Sequence, residues 1–188
     1  MRAIFLFFLL ILSTLAYSQK AKRFQFNSKK FSLPKSGVWE FYDYNGTELE
    51  QRYDFTNKVL LYQKALTGAD TTKSKVFDGR DTVSVNLERT PIMIGGQTLF
   101  YKWIGSKFKY PREAAENGKS GRLQARFIIS AEGKLKDPII DRHFGYGSAE
   151  AFLKLINDIP FEWIPGKLSG KNVDVVFTLP LSLNTTDR

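Results

Sequence analysis

Apolar and polar positions change their period several times along this chain, and each change marks an element. Leu123, Ala125, Phe127 and Ile129 alternate with Gln124 and Arg126, which predicts a strand with one buried face. Ala131-Glu132-Gly133 turns the chain back into residues 135–144, predicting a hairpin. Phe152, Leu155, Ile156 and Ile159 then fall at three-four spacing, an amphipathic helix with Ser148 as N-cap and Pro160 as its stop. Trp163 is expected to cover the apolar face of that helix, and Pro165-Gly166 aims the chain into a final strand. There Val173, Val175, Phe177 and Leu179 share one face, and Asp174, Val176 and Thr178 the other. Upstream, Leu99, Phe100, Trp103 and Ile104 predict an amphipathic helix over residues 97–107. Pro111 stands in the first turn of a short helix that Asn117-Gly118 stops.

The first half reads differently. Val38-Trp39-Glu40-Phe41-Tyr42 is strand-like and runs on to Asn45-Gly46, a dipeptide that favours a two-residue hairpin because both turn positions take positive φ. Residues 48–55 supply the partner strand. Thr56-Asn57-Lys58 leads into Val59-Leu60-Leu61-Tyr62, completing a three-stranded meander. Phe24 and Phe26 share a face if extended, so an early edge strand is expected within the basic segment 19–35. Residues 67–75 are polar and read as a loop, short strands follow around Asp78-Gly79, and residues 88–96 read as a linker. The expected organisation is a β-rich region over residues 19–90 and a second domain over residues 91–188.

The second half carries spaced motifs in a definite order. They are Tyr110-Pro111-x-x-Ala114, Asn117-Gly118-x-x-Gly121, the alternating strand, Glu132-Gly133-x-Leu135, the amphipathic helix, Pro160-x-x-Trp163-x-Pro165-Gly166, and a valine-rich strand ending in Leu179-Pro180. This order resembles the C-terminal domain of the TonB family. The resemblance implies an α+β fold: a small antiparallel sheet with helices packed on one face, here preceded by the β-meander region. A last strand placed beside the first strand of the hairpin makes every pair antiparallel and leaves that last strand at an edge. An edge exposes N–H and C=O groups that recruit an extended peptide as an added strand. TonB domains pair in this way with a short box near the N-terminus of outer-membrane transporters. The candidate partner-strand site is therefore the backbone of Val173, Asp174, Val175, Val176, Phe177, Thr178 and Leu179, with Pro180 ending the pairing.

On this reading the chain is an interaction module in TonB-linked transport, its partner an outer-membrane transporter or another envelope protein. Two alternatives stand beside it: a structural adaptor that binds through the N-terminal meander, and a short membrane-anchored energy transducer. A homodimer and contact with a membrane surface also stay open. Tyr42-Asp43-Tyr44-Asn45-Gly46, followed by Gln51-x-Tyr53-Asp54-Phe55, resembles hairpin repeats of the MORN-like type, which implies a scaffold.

Composition adds an address. Arg2, an apolar run from Ala3 to Leu15 and the small-x-small site Ala16-Tyr17-Ser18 have the form of a signal peptide cleaved after Ser18. Cleavage removes Arg2 and takes the formal net charge from +9 to +8, and the product is expected in the periplasm or outside the cell. Without cleavage the same segment is an inner-membrane anchor. The chain has no cysteine, which excludes a disulfide framework, a cysteine-ligated metal and a lipid anchor at the cleavage site. The basic surplus attracts anionic partners. No basic stripe with interleaved stacking aromatics is visible, so nucleic acid is not expected as a partner.

Enzymatic chemistry finds no footing. His143 is the only histidine, with Asp141 two residues away on an apparent strand, and reads as a surface residue. No phosphate loop, zinc spacing or dinucleotide fingerprint is present. No catalytic residue, metal ligand or cofactor is assigned.

Overall fold

The structure, a computed structural model, describes residues 20–65, 74–77 and 79–184. The expected signal segment, most of the loop at 67–75 and the polar tail after Asn184 lie outside the described residues. The chain forms two compact units. One draws its described residues from the segment ending at Gln25 and from Leu33–Lys64, the other from Phe26–Ser32 and from Ala65 onward.

The first unit is a four-stranded sheet in the order β1-β2-β3-β4. Its strands are β1 (Lys22–Arg23), β2 (Val38–Tyr42), β3 (Leu49–Asp54) and β4 (Val59–Gln63). The expected meander is β2-β3-β4, and β1 adds a parallel edge against Trp39 and Glu40. Both turns are closed by an aspartate that follows a tyrosine. Asp43 Oδ1 accepts from the N–H groups of Thr47 (2.7 Å) and Glu48 (3.1 Å). Asp54 Oδ1 accepts from Thr56 (2.9 Å) and Asn57 (3.1 Å), while Asn57 Nδ2 donates to Asp54 Oδ2 at 2.7 Å. The first turn is not the two-residue hairpin expected from Asn45-Gly46. Gly46 alone takes positive φ (74°), and the loop spans from Asp43 to Glu48, whose paired backbone closes it. The carboxylate supplies acceptors for a longer loop, so Asn45 need not adopt a left-handed conformation. Phe41 and Tyr53 are buried, and fully buried Gln51 donates to Gln63 Oε1 at 2.9 Å.

The second unit is α+β. Its main sheet has five strands in the order β6-β5-β13-β8-β9. Their ranges are β5 (Ser74–Phe77), β6 (Thr82–Val85), β8 (Gly121–Ile129), β9 (Leu135–Arg142) and β13 (Val175–Leu183). Short strands β7 (Ile92–Met93) and β10 (Trp163–Ile164) pair with each other, as do β11 (Gly166–Leu168) and β12 (Lys171–Val173). The helices are α1 (Gly96–Lys107), α2 (Arg112–Glu116) and α3 (Ser148–Asn157). The alternation in β8 works as expected: Leu123, Ala125, Phe127 and Ile129 are all buried. Phe152, Leu155 and Ile156 of α3 are buried, and α3 packs on β8 and β9. Leu99, Phe100, Trp103 and Ile104 of α1 are buried too, with Phe161 edge-on to both Phe100 and Trp103.

Four local expectations change. Residues 88–96 are not a linker: Met93 and Ile94 are buried, and β7 pairs with the strand that carries Trp163. Ser74 and Lys75 belong to β5 and not to a loop. Ser148 is not the N-cap of α3; Gly147 holds that place at φ 74°, and the buried Ser148 hydroxyl accepts from the Phe144 N–H at 3.2 Å. Pro111 precedes α2 as its N-cap with an extended ψ of 133°, outside the first turn.

Candidate functional site

The candidate site is β13. On one side it pairs antiparallel with β8 along its whole length, from Val175 opposite Ile129 to Leu183 opposite Gly121. On the other side β5 meets it at Val175 and Val176. The chain logic places the last strand at an edge; the structure instead puts it inside the sheet, between β5 and β8. The hairpin β5-β6 caps its beginning, because Val76 and Phe77 add apolar surface and ladder bonds there.

The seven predicted positions divide accordingly. Val173 pairs with Gly166 in the β11-β12 hairpin. The Asp174 carbonyl accepts from the Phe77 N–H at 3.0 Å, and its Oδ1 accepts from the Ala131 N–H at 2.8 Å. Val175 and Val176 stand opposite Val76 and Lys75 of β5. For Phe177, Thr178 and Leu179, no strand among the described residues pairs on that side.

The direction of each backbone group follows from Asp174. Its carbonyl points toward β5, and in an extended strand the N–H and C=O of one residue share a side that alternates along the chain. Val176, Thr178, Pro180 and Ser182 thus turn their backbone groups to the β5 side, and Phe177, Leu179 and Leu181 turn theirs to β8. Pro180 fits this, since its missing N–H costs no bond to β8. Side chains alternate as well: Val175 and Leu179 are buried, and Thr178 is exposed.

The parts around β13 explain the spaced motifs. Gly133 (φ 76°) sits in the β8-β9 turn, where a Cβ would lie 2.0 Å from the Trp163 carbonyl oxygen. Gly166 lets β11 cross β13, because a Cβ there would lie 2.5 Å from Val175 Cγ2. Trp163 is buried against Phe177 and Phe127, with centroids 5.0 and 6.4 Å away. In the same turn, the hydroxyl of buried Ser130 donates to Glu132 Oε2 at 2.7 Å. This bond, with the Glu132 backbone and Lys136, holds the Glu132 carboxyl below its ordinary range.

Residues 106–184 match the family model of the Gram-negative bacterial TonB protein C-terminal. The matched stretch is similar to that domain, and the family is a non-enzymatic, transport-associated one. No curated protein sequence matches the chain. The TonB domain accounts for α2, β8, β9, α3 and β10 through β13, while α1 apart from its last residues, β5, β6 and β7 lie before the match. The capping hairpin is therefore joined to the TonB domain from outside the matched residues. The short strands expected at Val76-Phe77 and at residues 82–87 are present as β5 and β6; what the sequence does not show is that β5 joins the sheet beside β13.

The surroundings of His143 form no triad. The Asp141 carboxylate lies 3.1 Å from Arg126 Nε, and His143 Nδ1 accepts from the Gly145 N–H at 3.2 Å. Among the described residues, no cluster of three or more His, Asp or Glu could hold a metal, and no helix is long and apolar enough to cross a membrane.

Proposed function

We propose that the TonB domain is a protein-binding module of the cell envelope that captures an extended segment of an outer-membrane transporter as an added strand along β13. The observation that supports it is the outward backbone of Thr178 and Ser182, beyond the end of β5. The incoming segment continues the line of β5, and Pro180 limits the ladder to donors on either side of it. The seven-residue site from the motifs shifts toward the C-terminal end of the strand, because Val173, Asp174, Val175 and Val176 already have internal partners. The periplasmic setting depends on cleavage after Ser18, which N-terminal sequencing of protein from fractionated cells decides. An intact Met1 in the inner membrane would favour the anchored transducer.

The test is a titration with transporter-box peptides followed by backbone amide NMR. The amides of Thr178 and Ser182 are expected to shift most. Thr178→Pro removes an outward N–H in the manner Pro180 already tolerates, so it should abolish capture and leave the fold intact. Peptide binding undisturbed by Thr178→Pro, with no shift at either amide, rejects this mode.

A second reading has its own observation. β4 is an edge of the first unit's sheet, and Val59, Leu61 and Tyr62 on it are 46%, 40% and 42% exposed. An uncharged, proline-free edge of this kind suits a structural adaptor. If Leu61→Lys removes partner capture while Thr178→Pro does not, the adaptor reading takes over.

A further inference from the structure

The sheet face turned away from the buried stripe of β8 carries a second surface. Residues directly opposite across a ladder point to the same side, so the register assigns this face residue by residue. On β8 it holds Arg122, Gln124 and Arg126, all on the side opposite buried Leu123, Ala125 and Phe127. On β9 it holds Arg142, opposite Gln124, and Ile139, opposite Arg126. Lys136 stands opposite Ile128, and Lys75 of β5 opposite Val176. Arg142 is therefore diagonal to both Arg122 and Arg126, at backbone separations of about 7–8 Å. All three arginines are exposed, and Ile139 beside them is 50% exposed. Asp141 faces Arg126 at 3.1 Å, and Glu132 lies 3.5 Å from Lys136 Nζ. Asp174, on the same side of the chain as Val176, adds a third carboxylate, which accepts from the Ala131 N–H at 2.8 Å. Against these three carboxylates stand five cations: Lys75, Arg122, Arg126, Lys136 and Arg142.

We infer that this face docks on the phosphate-bearing headgroups of an anionic phospholipid leaflet, with Arg122, Arg126 and Arg142 as its anchors. Three planar guanidinium forks spread over two neighbouring strands, with exposed Ile139 among them, match separate phosphates on a surface. Ile139 supplies an exposed apolar contact among them. This surface uses side chains and not the outward backbone groups of Thr178 and Ser182, which stand opposite Arg126 and Arg122 in the ladder; the arginine substitutions leave those backbone groups in place, so it stands or falls independently of strand capture. It also differs from the basic segment at residues 19–35, where Lys29 and Lys30 lie.

The experiment is flotation of the full chain with phosphatidylglycerol–phosphatidylcholine vesicles and with pure phosphatidylcholine vesicles. The second measures uptake by the apolar N-terminal segment, which is indifferent to headgroup charge. The phosphatidylglycerol-dependent part is expected to fall as salt rises. It should drop roughly a hundredfold in Arg122→Gln/Arg126→Gln/Arg142→Gln, from about fivefold per cation near an anionic surface. Arg142→Gln alone should lower it about fivefold, which keeps the test open if the triple variant folds poorly. Asp141→Asn relieves Arg126 of its counter-ion and should strengthen binding, an outcome that loss of structure would not give. The inference is overturned if the phosphatidylglycerol-dependent part survives the triple variant, or if Lys29→Gln/Lys30→Gln removes it instead. Arginine-dependent binding of a soluble oligoglutamate without vesicle binding would overturn it too, and would point to an acidic protein.

Discussion

The two units are held by different chemistry. In the first, the two turns of the meander are closed by Asp43 and Asp54, and Glu40 bridges Arg52 Nε at 2.9 Å and Tyr42 Oη at 2.9 Å. Among the described residues its buried apolar side chains are Val38, Phe41 and Tyr53. The second rests on a larger apolar core, in which Phe127, Phe152, Leu123, Ile129 and Ile156 are essentially inaccessible. A thin sheet with little to bury depends on polar turns for its register, whereas a sheet with helices on one face fixes its register by which side chains fit inside. The comparison also bears on function. The unit with the deeper core can present an outward strand and an open basic face without losing its shape.

The largest test of this contrast is Phe127→Ala. Phe127 is 1% exposed and stacks on Phe177 at 5.4 Å, so its loss leaves a cavity under β13 itself. A cost of about 3–5 kcal/mol is expected. Chemical denaturation followed by near-ultraviolet circular dichroism would read it. A loss well under this would mean that the second unit's core is not what positions the strand.

Gly133→Ala comes next and tests a backbone device. The new methyl group would meet the Trp163 carbonyl oxygen at a φ of 76°. The left-handed conformation alone costs roughly 1–3 kcal/mol for a side chain without local hydrogen bonding. Thermal melting should show the drop, and the Trp163 signal should change with it. An unshifted midpoint would show that the β8-β9 turn moves freely away from Trp163.

How much of this was legible differs by unit for the same physical reason. Strong periodicity is written by burial. The stripes of β8, α1 and α3 are therefore legible in the sequence, and the motif order points to the TonB-like fold. Where hydrogen bonds decide, the pattern is weaker. Asn45-Gly46 pointed to a two-residue hairpin, but Asp43 organises a longer loop. Ser148 looked like a cap because its residue type suits one, yet Gly147 takes that conformation and the hydroxyl turns back to Phe144. The motifs do not give the position of β13, because sheet order depends on a hairpin upstream of them. Nothing in Val175-Val176 announces β5. Which groups of β13 face outward was not readable either, since alternation gives the side chains and a single carbonyl contact at Asp174 was needed for the backbone.

The smallest expected effect concerns acid, and it separates the units by their turns. Backbone N–H groups of Glu48, Thr47 and Gly46, with the Thr47 hydroxyl, hold the Asp43 carboxyl below its ordinary value of 3.8. The Asn57 side chain, with the Asn57 and Thr56 N–H groups, does the same for Asp54. A carboxyl depressed in the folded state favours folding while it is ionised in both states, so this contribution is complete above the ordinary value. As pH falls below about 3.8 the unfolded chain takes up protons first, and the contribution drains away until the folded carboxyls are protonated too. The second unit has a depressed carboxyl at Glu132, in a turn whose register the buried strands already fix. Trp39 reports on the first unit, and Trp103 and Trp163 on the second. Acid titration with single-tryptophan variants should therefore show Trp39 responding first. Asp54→Asn keeps the shape and removes the titration, so it should lower stability at neutral pH and flatten the Trp39 response in acid. Coincident responses from the three tryptophans, unchanged by Asp54→Asn, would mean that the aspartate-closed turns do not control the first unit and that the contrast between polar turns and apolar core fails there.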